Sequence, residues 1–569
     1  MAPIFPCLLP ESRVFILLHI CDMLRFILDM LRSRSPSTVA AYEDYFRYTS
    51  GRWLHDEQRQ QRLRYQRFNV DALKCMAMKS VKADGVDSIY KLGEGRCNKA
   101  FRVQLTNGRQ VIARLPTPLS GPQHLVTASE VATMRFLRER LGLNQVPRIL
   151  SSSSRASETP VGAEFIIMDV ADGIELHTVW PRMSMRQKIH LVHQWFSFES
   201  KIIDAFSGGG YGSLYYRKDI PVHLSRDVFL NGTKDDEFVL GPCTQQVGYW
   251  EDRYGSPTDI DLDRGPWADV SSYLASITNC ERTWIAKYAK APAPKFVAPW
   301  VPPPHLQIPE DHIALLNAYD KIAKYFIPRD ERLNRPCFTL HDSNPGNIFL
   351  SREAFERDGT VEISAVIDWQ HTAILPLYLT ARIPRFINSA DPAPGQKEED
   401  FEKEQAYLQK AYHALYFETN KDVVWASALA LNGNVNMTQR LPRTAQLCWA
   451  GGYPYLKRQL VRTMLEWQQI AEWQQIDGSA VECPISFSEQ DVAQVPEDVR
   501  AWEMMEDARW DLEKRIGVEV DGWVEPEDFE RALQTNNRLR DEWETSVKVD
   551  NVGVTDSDIE GVWPFAGNN

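Results

Sequence analysis

From residue 88 onward, apolar and polar residues alternate in short runs that are typical of strands in an antiparallel sheet. The turn Asn107-Gly108 separates two of these runs, and Asn-Gly is a strong hairpin signal because both residues tolerate positive φ angles. Apolar residues then recur with helical spacing from Leu125 to Leu137. The pattern predicts a small antiparallel β unit followed by one helix, with strands at 88–92, 100–105 and 111–115.

A second unit with a mostly helical pattern follows the apolar strand at 164–170. The stretch 164–172 is the expected connector between two lobes. The helical pattern from Met183 is broken by residues 211–309, which are too many for a simple loop. We expect this insertion to contain a helix near 270–290 and to shape a substrate pocket. A short strand at 337–340 then precedes a predicted hairpin, whose strands lie at 348–350 and 361–367.

The apolar run at 14–31 contains charged residues that argue against a membrane-spanning helix, namely Asp22, Arg25 and Asp29. We therefore expect no integral membrane span. Acidic residues are atypical of a transit peptide, whereas the nearby arginines and serines are typical of one. A helix docked on the folded chain and a targeting segment both fit this pattern.

The 569 residues carry a formal net charge of −13, and 43% of them are apolar. This composition is typical of a soluble globular protein with a large core. It argues against nucleic acid as a partner, because neutralising phosphate backbones needs clustered Lys and Arg, and only 59–67 approaches such a cluster. The nine cysteines include no Cys-x-x-Cys pair, so neither a zinc cluster nor a disulfide framework is indicated.

The segment with the most chemical information is Leu340-His-Asp-Ser-Asn-Pro-Gly-Asn347, which is followed by the predicted hairpin and by Val366-Ile-Asp-Trp369. Phosphoryl transfer from ATP needs a carboxylate beside the attacking hydroxyl and metal ligands that neutralise the triphosphate. Asp342 is the candidate catalytic carboxylate. Asn347 has the spacing of the metal-binding Asn in kinase catalytic loops, and Asp368 stands where the second metal ligand is expected. Oxygen ligands of this kind suit Mg²⁺.

The predicted β unit supplies the candidate nucleotide-binding residues. Gly93 and Gly95 lie on the turn between the first two strands, where glycines let the backbone approach phosphates closely. Alone, this Gly-x-Gly is a weak signal. Arg114 takes the strand position of the kinase lysine that holds the α- and β-phosphates, and Glu130 on the next helix is its expected ion-pair partner.

The segment around Asp342 resembles the catalytic loop of aminoglycoside phosphotransferase and choline kinase-like proteins, whose motif is similar to His-Gly-Asp-Leu-His-Pro-Gly-Asn with a later Ile-Asp-Trp. Further stretches resemble a fungal branch of kinase-like proteins called altered inheritance of mitochondria. These stretches are Tyr48-Thr-Ser-Gly-Arg-Trp-Leu, Ala113-Arg-Leu-Pro, Ala128-Ser-Glu-Val-Ala-Thr-Met, Arg264-Gly-Pro-Trp and Ile367-Asp-Trp-Gln-His-Thr. The branch implies a mitochondrial localisation, and a cytoplasmic one is the alternative.

The resemblance and the patterns together predict an α+β, bilobal, protein-kinase-like fold with a small antiparallel β lobe and a large, mostly helical lobe. The expected segments are a leader at 1–45, a helical extension at 46–80, the small lobe at 81–170, the core of the large lobe at 171–385 with the insertion at about 211–309, a C-terminal helical subdomain at 386–545 and a disordered acidic tail at 546–569.

The function that the resemblance implies is transfer of the ATP γ-phosphate to a small-molecule hydroxyl, with ATP and Mg²⁺ as cofactors. Two departures from the family motif motivate an alternative, a catalytically weak or inactive kinase-like nucleotide-binding or scaffold protein of mitochondria. Leu340 stands where the family usually has His, and Arg114 replaces the kinase lysine. The acceptor is open, and acidic residues of the insertion suggest a pocket for a cationic substrate or, as a second interpretation, a solvated acidic face. These residues are Asp235, Asp236, Glu251, Asp252, Asp259, Asp261 and Asp263.

Overall fold

The computed structural model describes most of the chain after residue 41. The described residues are 42–245, 261–290, 298–339, 342–388, 392, 395–419, 422–424, 426–427, 437–473, 482–550, 554–559 and 561–566. The predicted leader lies almost entirely outside these ranges, as do Leu340 and His341. Within them, no helix combines the length and the hydrophobicity that crossing a bilayer requires.

The extension that precedes the sheet packs on its outer face. Asn69 begins the third helix by accepting a hydrogen bond from the backbone N–H of Ala72 at 3.0 Å. Leu73 and Ala77 of that helix are fully buried and pack with Phe101 of the sheet. The extension consists of α1 (Glu43–Phe46), β1 (Arg52–Trp53), α2 (Glu57–Arg64) and α3 (Val70–Ser80).

The small lobe is a five-stranded antiparallel sheet with one helix. It contains β2 (Val86–Glu94), β3 (Asn98–Leu105), β4 (Gln110–Pro116), α4 (Leu125–Arg135), β5 (Ile149–Ser153) and β6 (Phe165–Asp169). The strand order is β2-β3-β4-β6-β5. Phe101, Val103 and Leu105 alternate along β3 and are fully buried on the outer face, as the sequence period predicts. The serine-rich run after Ile149 pairs with β6 through Ser151, Ser152 and Ser153.

The large lobe begins directly after the small one. Its elements are β7 (Ile174–Glu175), α5 (Leu176–Val179), α6 (Met185–Ile203), β8 (Ser213–Tyr216), β9 (Arg226–Leu230), β10 (Thr233–Gly241), α7 (Val270–Tyr288), α8 (Pro309–Ala323), β11 (Pro336–Phe338), β12 (Ile348–Leu350), α9 (Arg352–Asp358), β13 (Ile363–Val366), β14 (Ile374–Pro376), α10 (Leu377–Thr380) and α11 (Arg385–Asn388). The link between the lobes is shorter than the predicted connector, because 165–169 belong to the sheet and β7 begins at Ile174. Strands β12 and β13 pair as the predicted hairpin, with α9 between them.

The insertion contains a three-stranded sheet that the sequence pattern did not predict. Its order is β8-β10-β9, and it packs on α4 through Tyr215, Ile220 and Val239, which contact Ala128. The predicted helix near 270–290 is confirmed as α7. The sheet escaped prediction because its strands are flanked by Gly and Pro and two of them contain Asp, and these residues mark loops in a single sequence.

The C-terminal region is helical, as expected, and the described residues of its last segment, 554–559 and 561–566, include a short helix and two buried aromatic side chains. It contains α12 (Glu398–Thr419), α13 (Met437–Gln446), α14 (Tyr453–Leu465), α15 (Trp467–Trp473), α16 (Glu489–Ile516), β15 (Trp523–Val524), α17 (Phe529–Asp550) and α18 (Asp556–Ile559). Trp563 and Phe565 are buried against α17, and Trp300 packs on Trp563. Burial of these two aromatic side chains stabilises the folded state of this segment, which its acidic average composition does not indicate. The predicted α+β, two-lobed architecture is confirmed.

Glu199 is a carboxyl group enclosed in the large lobe, between α6 and α12. Tyr412 and Tyr416 both donate hydrogen bonds to its Oε2 atom, the first at 2.7 Å. Burial raises the pKa of Glu199 to about 7, although the tyrosine hydroxyls favour the charged form. The folded state therefore binds a proton at Glu199 in a pH range where the unfolded chain has released it.

We expect Glu199→Gln to change the pH dependence of stability. A folded pKa above the unfolded value means that wild-type stability falls as pH rises from about 4.5 towards 7, by about 3 kcal/mol in total. Glutamine still accepts the tyrosine hydrogen bonds and does not ionise, so this loss disappears in the variant. Urea unfolding of both proteins between pH 5 and 8.5 measures the difference, and stability curves that stay parallel across that range contradict the assignment.

Candidate active site

The loop that carries Asp342 is closed by Asn347. The Asn347 Nδ2 group donates hydrogen bonds to the Oδ2 atom and to the backbone carbonyl of Asp342, both at 3.3 Å. Within the loop, the Asn344 side chain accepts a hydrogen bond from the N–H of Gly346 at 3.0 Å and begins a short 3₁₀ turn. The spacing of Asp342 and Asn347 along the loop thus allows their side chains to contact each other. The amide nitrogen of Asn347 faces Asp342, and the Oδ1 atom of Asn347 is therefore available to another partner.

Asp368 lies beside Asn347 at the end of the hairpin. The N–H of Ile367 donates to the carbonyl of Asn347 at 2.9 Å, and Ile348 pairs with Val366 one position further along. Asp368 has a φ angle of 63°, a left-handed conformation that is uncommon outside glycine and asparagine and that concentrates at functional sites. Its side chain is 40% exposed. The structure therefore brings Asp342, Asn347 and Asp368 to one edge of the large lobe.

Arg114 connects this edge to the small lobe. Its guanidinium forms an ion pair with Glu130 of α4, and its Nη1 atom lies 3.3 Å from the Oδ1 atom of Asp368. Burial lowers the pKa of Arg114, and the Asp368 carboxylate opposes that change. Strand β4, helix α4 and the hairpin thus meet at one buried cation. The predicted partnership of Arg114 and Glu130 is present, and the contact with Asp368 was not predicted.

The glycine loop between β2 and β3 faces open space. The N–H of Gly95 donates to the carbonyl of Asn98 at 2.9 Å, and Gly93 pairs with Ala100 across the strands. A Cβ atom added at Gly93 or Gly95 would meet nothing within 4 Å. The folded chain itself therefore does not require glycine at either position. The open space leaves room for a ligand to approach the backbone of this loop.

Glu94 lies between the two glycines, and its side chain anchors the loop. Its fully buried carboxylate accepts hydrogen bonds from Lys99 at 2.8 Å, from Lys91 at 2.9 Å and from the Thr49 hydroxyl at 2.7 Å. Burial alone would raise the pKa of Glu94, but the bonds from Lys99, Thr49 and Lys91 lower it to about 2. The glycine loop is thus tied to the N-terminal extension. Sequence reasoning missed this anchor, although lysines three residues before and five after Glu94 were a usable signal.

The inner face of the sheet forms the roof of a cavity at the connector between the lobes. Ala100 pairs with Arg114, and Arg102 pairs with both Ile112 and Tyr90, so these side chains share one face. Tyr90 is 45% exposed on that face. A cavity of about 480 Å³ lies there, lined by Arg102, Gln110, residues 170–175, His177, Thr178, Phe349 and Arg352. Its position beside Phe349, two residues after Asn347, suits a nucleotide base.

Two contacts beside the predicted site residues were not predicted. Gln370 accepts a hydrogen bond from the Asn98 side chain at 2.8 Å, which joins the end of the glycine loop to the segment after Asp368. Arg385 Nη1 lies 2.9 Å from the Oδ1 atom of Asp342. In each of these contacts the two residues are far apart in the sequence, so no local pattern could have indicated the contact.

Two of the described acidic residues of the insertion, Asp235 and Asp263, stabilise the insertion itself. Asp235 accepts hydrogen bonds from the N–H groups of Glu237 and Phe238, both at 2.8 Å. Asp263 accepts from the N–H of Gly265 at 3.0 Å and from the Trp267 indole at 3.1 Å. Both carboxylates are thus used in local turns, and whether the other acidic residues of the insertion bind a cationic substrate stays a prediction. Glu251, Asp252 and Asp259 lie outside the described residues.

No protein-family model matches the chain. Among proteins with similar sequences, a subtelomeric hrmA-associated cluster protein of Aspergillus fumigatus is 29% identical over 502 residues, which span 81% of this chain and 94% of the relative. The altered inheritance of mitochondria protein 9, mitochondrial, of Clavispora lusitaniae is 21% identical over 579 residues, which span 90% of each chain. The predicted resemblance to the altered inheritance of mitochondria group is confirmed. Relatives of the same name occur in further fungi and are mitochondrial by that name, which supports the predicted mitochondrial localisation.

Among solved structures, the aminoglycoside phosphotransferase APH(4)-Ia aligns with 76% of this chain and 99% of its own. The sequence identity in this alignment is 13% and the TM-score is 0.34. The described residues form the small antiparallel lobe and the large, mostly helical lobe that were predicted. Arg114 of the third small-lobe strand pairs with Glu130 of the following helix, as the lysine and glutamate of kinases do.

Proposed function

We propose that this protein transfers the γ-phosphate of ATP to a hydroxyl group of a small molecule in mitochondria. The observation that carries the proposal is the chain of contacts from the buried Glu130 through the largely buried Arg114 to the partly exposed Asp368, which links the two lobes beside the Asp342 loop. In kinases the corresponding lysine–glutamate ion pair and the metal-binding aspartate must both be in place for phosphoryl transfer. An ordinary surface ion pair would not be buried at this junction.

The side chains present fit a magnesium–nucleotide complex. Oδ1 of Asn347 and the carboxylate of Asp368 would hold Mg²⁺, which binds few protein groups and takes its other ligands from phosphates and water. The described residues contain no set of three His, Cys, Asp or Glu side chains arranged around one point, so an all-protein cage is not offered there. Bound magnesium would neutralise charge that develops on the leaving phosphate.

The residues of the chain then have separate roles. The backbone of the loop at Gly93 and Gly95 lies close to the phosphates, Arg114 binds them with its guanidinium, and the cavity beside Phe349 takes the base. Asp342 orients the acceptor hydroxyl and accepts its proton. The acceptor oxygen forms a bond to the γ-phosphorus, the bond from that phosphorus to the bridging oxygen breaks, and ADP leaves.

Asp368→Ala tests the proposal directly. We expect magnesium-dependent ATP affinity to fall at least roughly ten-fold, because a charged oxygen ligand is worth more than a neutral hydrogen bond. Isothermal titration with ATP, with and without magnesium, measures this change. Glu362→Ala is the matched control, since Glu362 is exposed on the same hairpin. If affinity and turnover are the same in the Asp368 variant and the wild type, the proposed metal site is wrong.

A second candidate function is nucleotide binding without useful transfer. Two contacts favour it, since Arg385 occupies one oxygen of Asp342 and Arg114 occupies one oxygen of Asp368. A broad panel of hydroxyl and amine acceptors distinguishes the candidates. ATP binding without any transfer supports the second, and a phosphorylated product that depends on Asp342 excludes it.

A further inference from the structure

The side chain of Glu94 lies on the face of the small-lobe sheet opposite to the proposed nucleotide. Glu94 pairs with Lys99 across β2 and β3. Lys99 alternates with Ala100, which pairs with Arg114 on the inner face, so Lys99 and Glu94 belong to the outer face. The fully buried carboxylate of Glu94 therefore acts on a ligand at the inner face only through the backbone of the glycine loop.

The N-terminal extension supplies part of the polar network that holds this carboxylate. The Oε1 atom of Glu94 accepts hydrogen bonds from the backbone N–H groups of Thr49 at 2.5 Å and Ser50 at 3.0 Å. The two lysines that contact Glu94 also donate to the carbonyl of Arg47, each at 3.0 Å. Hydrogen bonds to ionised groups are stronger than neutral ones, so this network fixes the glycine loop to residues 47–50.

The same extension continues into contacts with the C-terminal segment. We call residues 47–57 the strap. Its strand β1 pairs with β15 in an antiparallel register. The Trp53 indole donates a hydrogen bond to the Oδ2 atom of Asp521 at 3.0 Å, and the N–H of Leu54 donates to the carbonyl of Gly522 at 3.0 Å. The strap thus contacts the glycine loop at one end and the turn before β15 at the other.

The C-terminal segment is in turn packed on the large lobe. Val495 and Val499 of α16 pack with Val461 of α14. Leu54 of the strap lies in one hydrophobic cluster with Leu512 of the same helix α16. The strap therefore joins the glycine loop of the small lobe to the large lobe by a path that does not pass through the connector.

The pair of β1 and β15 is small enough to respond to what holds the strap. Each strand has two residues, and an isolated two-stranded unit is at best marginally stable in water. Small units of this kind open locally at a low free energy. A ligand that orders the glycine loop fixes one end of the strap, so ligand binding and closure of the β1–β15 pair favour each other by the same factor.

We propose that Glu94 is a positioning residue, which holds the glycine loop in place for the nucleotide phosphates and couples the loop, through the strap, to the C-terminal segment. This inference rests on the proposed binding of ATP with magnesium. Because the loop is fixed before the nucleotide arrives, less conformational freedom is lost on binding. The C-terminal segment thereby influences ATP affinity from outside the nucleotide site.

Glu94→Gln tests the positioning role. Glutamine has the size of glutamate but lacks the charge that Lys91 and Lys99 contact. We expect the affinity for ATP with magnesium, measured by isothermal titration, to fall roughly ten-fold. Glu158→Gln is the matched control, because Glu158 is exposed in the small lobe. A purely structural role would lower the free energy of unfolding in urea and leave the ATP affinity of the folded protein unchanged.

Hydrogen exchange measures the coupling itself. Peptides that cover 50–56 and 519–526 report opening of the β1–β15 pair in the full-length protein. We expect saturating ATP with magnesium to slow their exchange about ten-fold in the wild type and to have no effect on it in Glu94→Gln. Wild-type exchange that is the same with and without the nucleotide overturns the coupling.

Asp521→Ala tests the same inference from the other end of the strap, and it decides the question if Glu94→Gln does not fold. Asp521 is exposed and accepts the hydrogen bond of the Trp53 indole. We expect ATP affinity to fall about three-fold, which corresponds to one lost hydrogen bond. Glu527→Ala, at an exposed position of the same segment, is the matched control. Unchanged affinity in Asp521→Ala overturns the proposal.

The outcomes separate this inference from the proposed function. Wild-type binding of ATP with magnesium that neither variant weakens overturns the positioning role and leaves the proposed function intact. A wild type that does not bind ATP with magnesium overturns the proposed function and the positioning role together.

Discussion

Replacing Asp342 with asparagine will reduce phosphoryl transfer about a thousand-fold, which is within the range that a positioned general base contributes. Asparagine has nearly the same shape and can still accept the hydrogen bond from Asn347 Nδ2. It does not accept a proton, so the hydroxyl oxygen of the acceptor is not activated. ATP affinity is expected to stay within about two-fold, since Asp342 has no predicted contact with the nucleotide.

Product formation under saturating ATP and ATP titration calorimetry check the two halves of this expectation separately. The matched control is Asp358→Asn, which changes an exposed aspartate in the same hairpin. Transfer that continues in Asp342→Asn at a rate close to that of the control places the base elsewhere. A parallel loss of ATP affinity instead indicates that the loop has changed its structure.

The Asp342 loop shows why part of the site was predictable. Phosphoryl transfer constrains the types and the order of residues in one short segment, so Asp342, Asn347 and Asp368 stand out without any structural information. The hairpin between them was predictable from alternating hydrophobicity, since Ile348 and Val366 face the core. In this region, local chemistry and local periodicity were enough to predict the hairpin and the candidate site residues.

Arg385 shows what the sequence does not contain. It reaches Asp342 across 43 residues, and its place depends on two backbone hydrogen bonds to Ser343. Nothing in the residues around Arg385 distinguishes it from other surface arginines. Contacts of this kind arise from the packing of the whole large lobe, so they become visible only in three dimensions.

The inserted sheet illustrates the same limit and explains how α4 is placed. Tyr215 is fully buried, and it packs with Ala128 on the helix that carries Glu130. Its hydroxyl donates to the carbonyl of Pro242 at 2.7 Å, which ties the side chain to the end of the sheet. Helix α4 is thus packed between the small-lobe sheet and the insertion. Glu130 is consequently presented to Arg114 by a rigid support.

This support makes the loss of Arg114 costly. We expect Arg114→Leu to destabilise the protein by about 3–5 kcal/mol, because it leaves Glu130, whose side chain is 2% exposed, as an unpaired buried charge. Urea unfolding measures the change. Magnesium-dependent ATP binding is expected to be lost as well, since the phosphates lose their guanidinium partner.

The double variant Arg114→Leu with Glu130→Leu separates stability from binding. Removing both charges removes the unpaired carboxylate, so most of the lost stability should return, as is found when buried ion pairs are replaced by apolar residues. ATP binding should not return, because the cation that faces the phosphates is still missing. Recovery of both properties would show that Arg114 serves only the packing of α4. Recovery of stability alone indicates that the guanidinium binds the nucleotide. In that case Arg114→Lys should bind ATP more strongly than the double variant does, because lysine keeps the positive charge although its geometry differs.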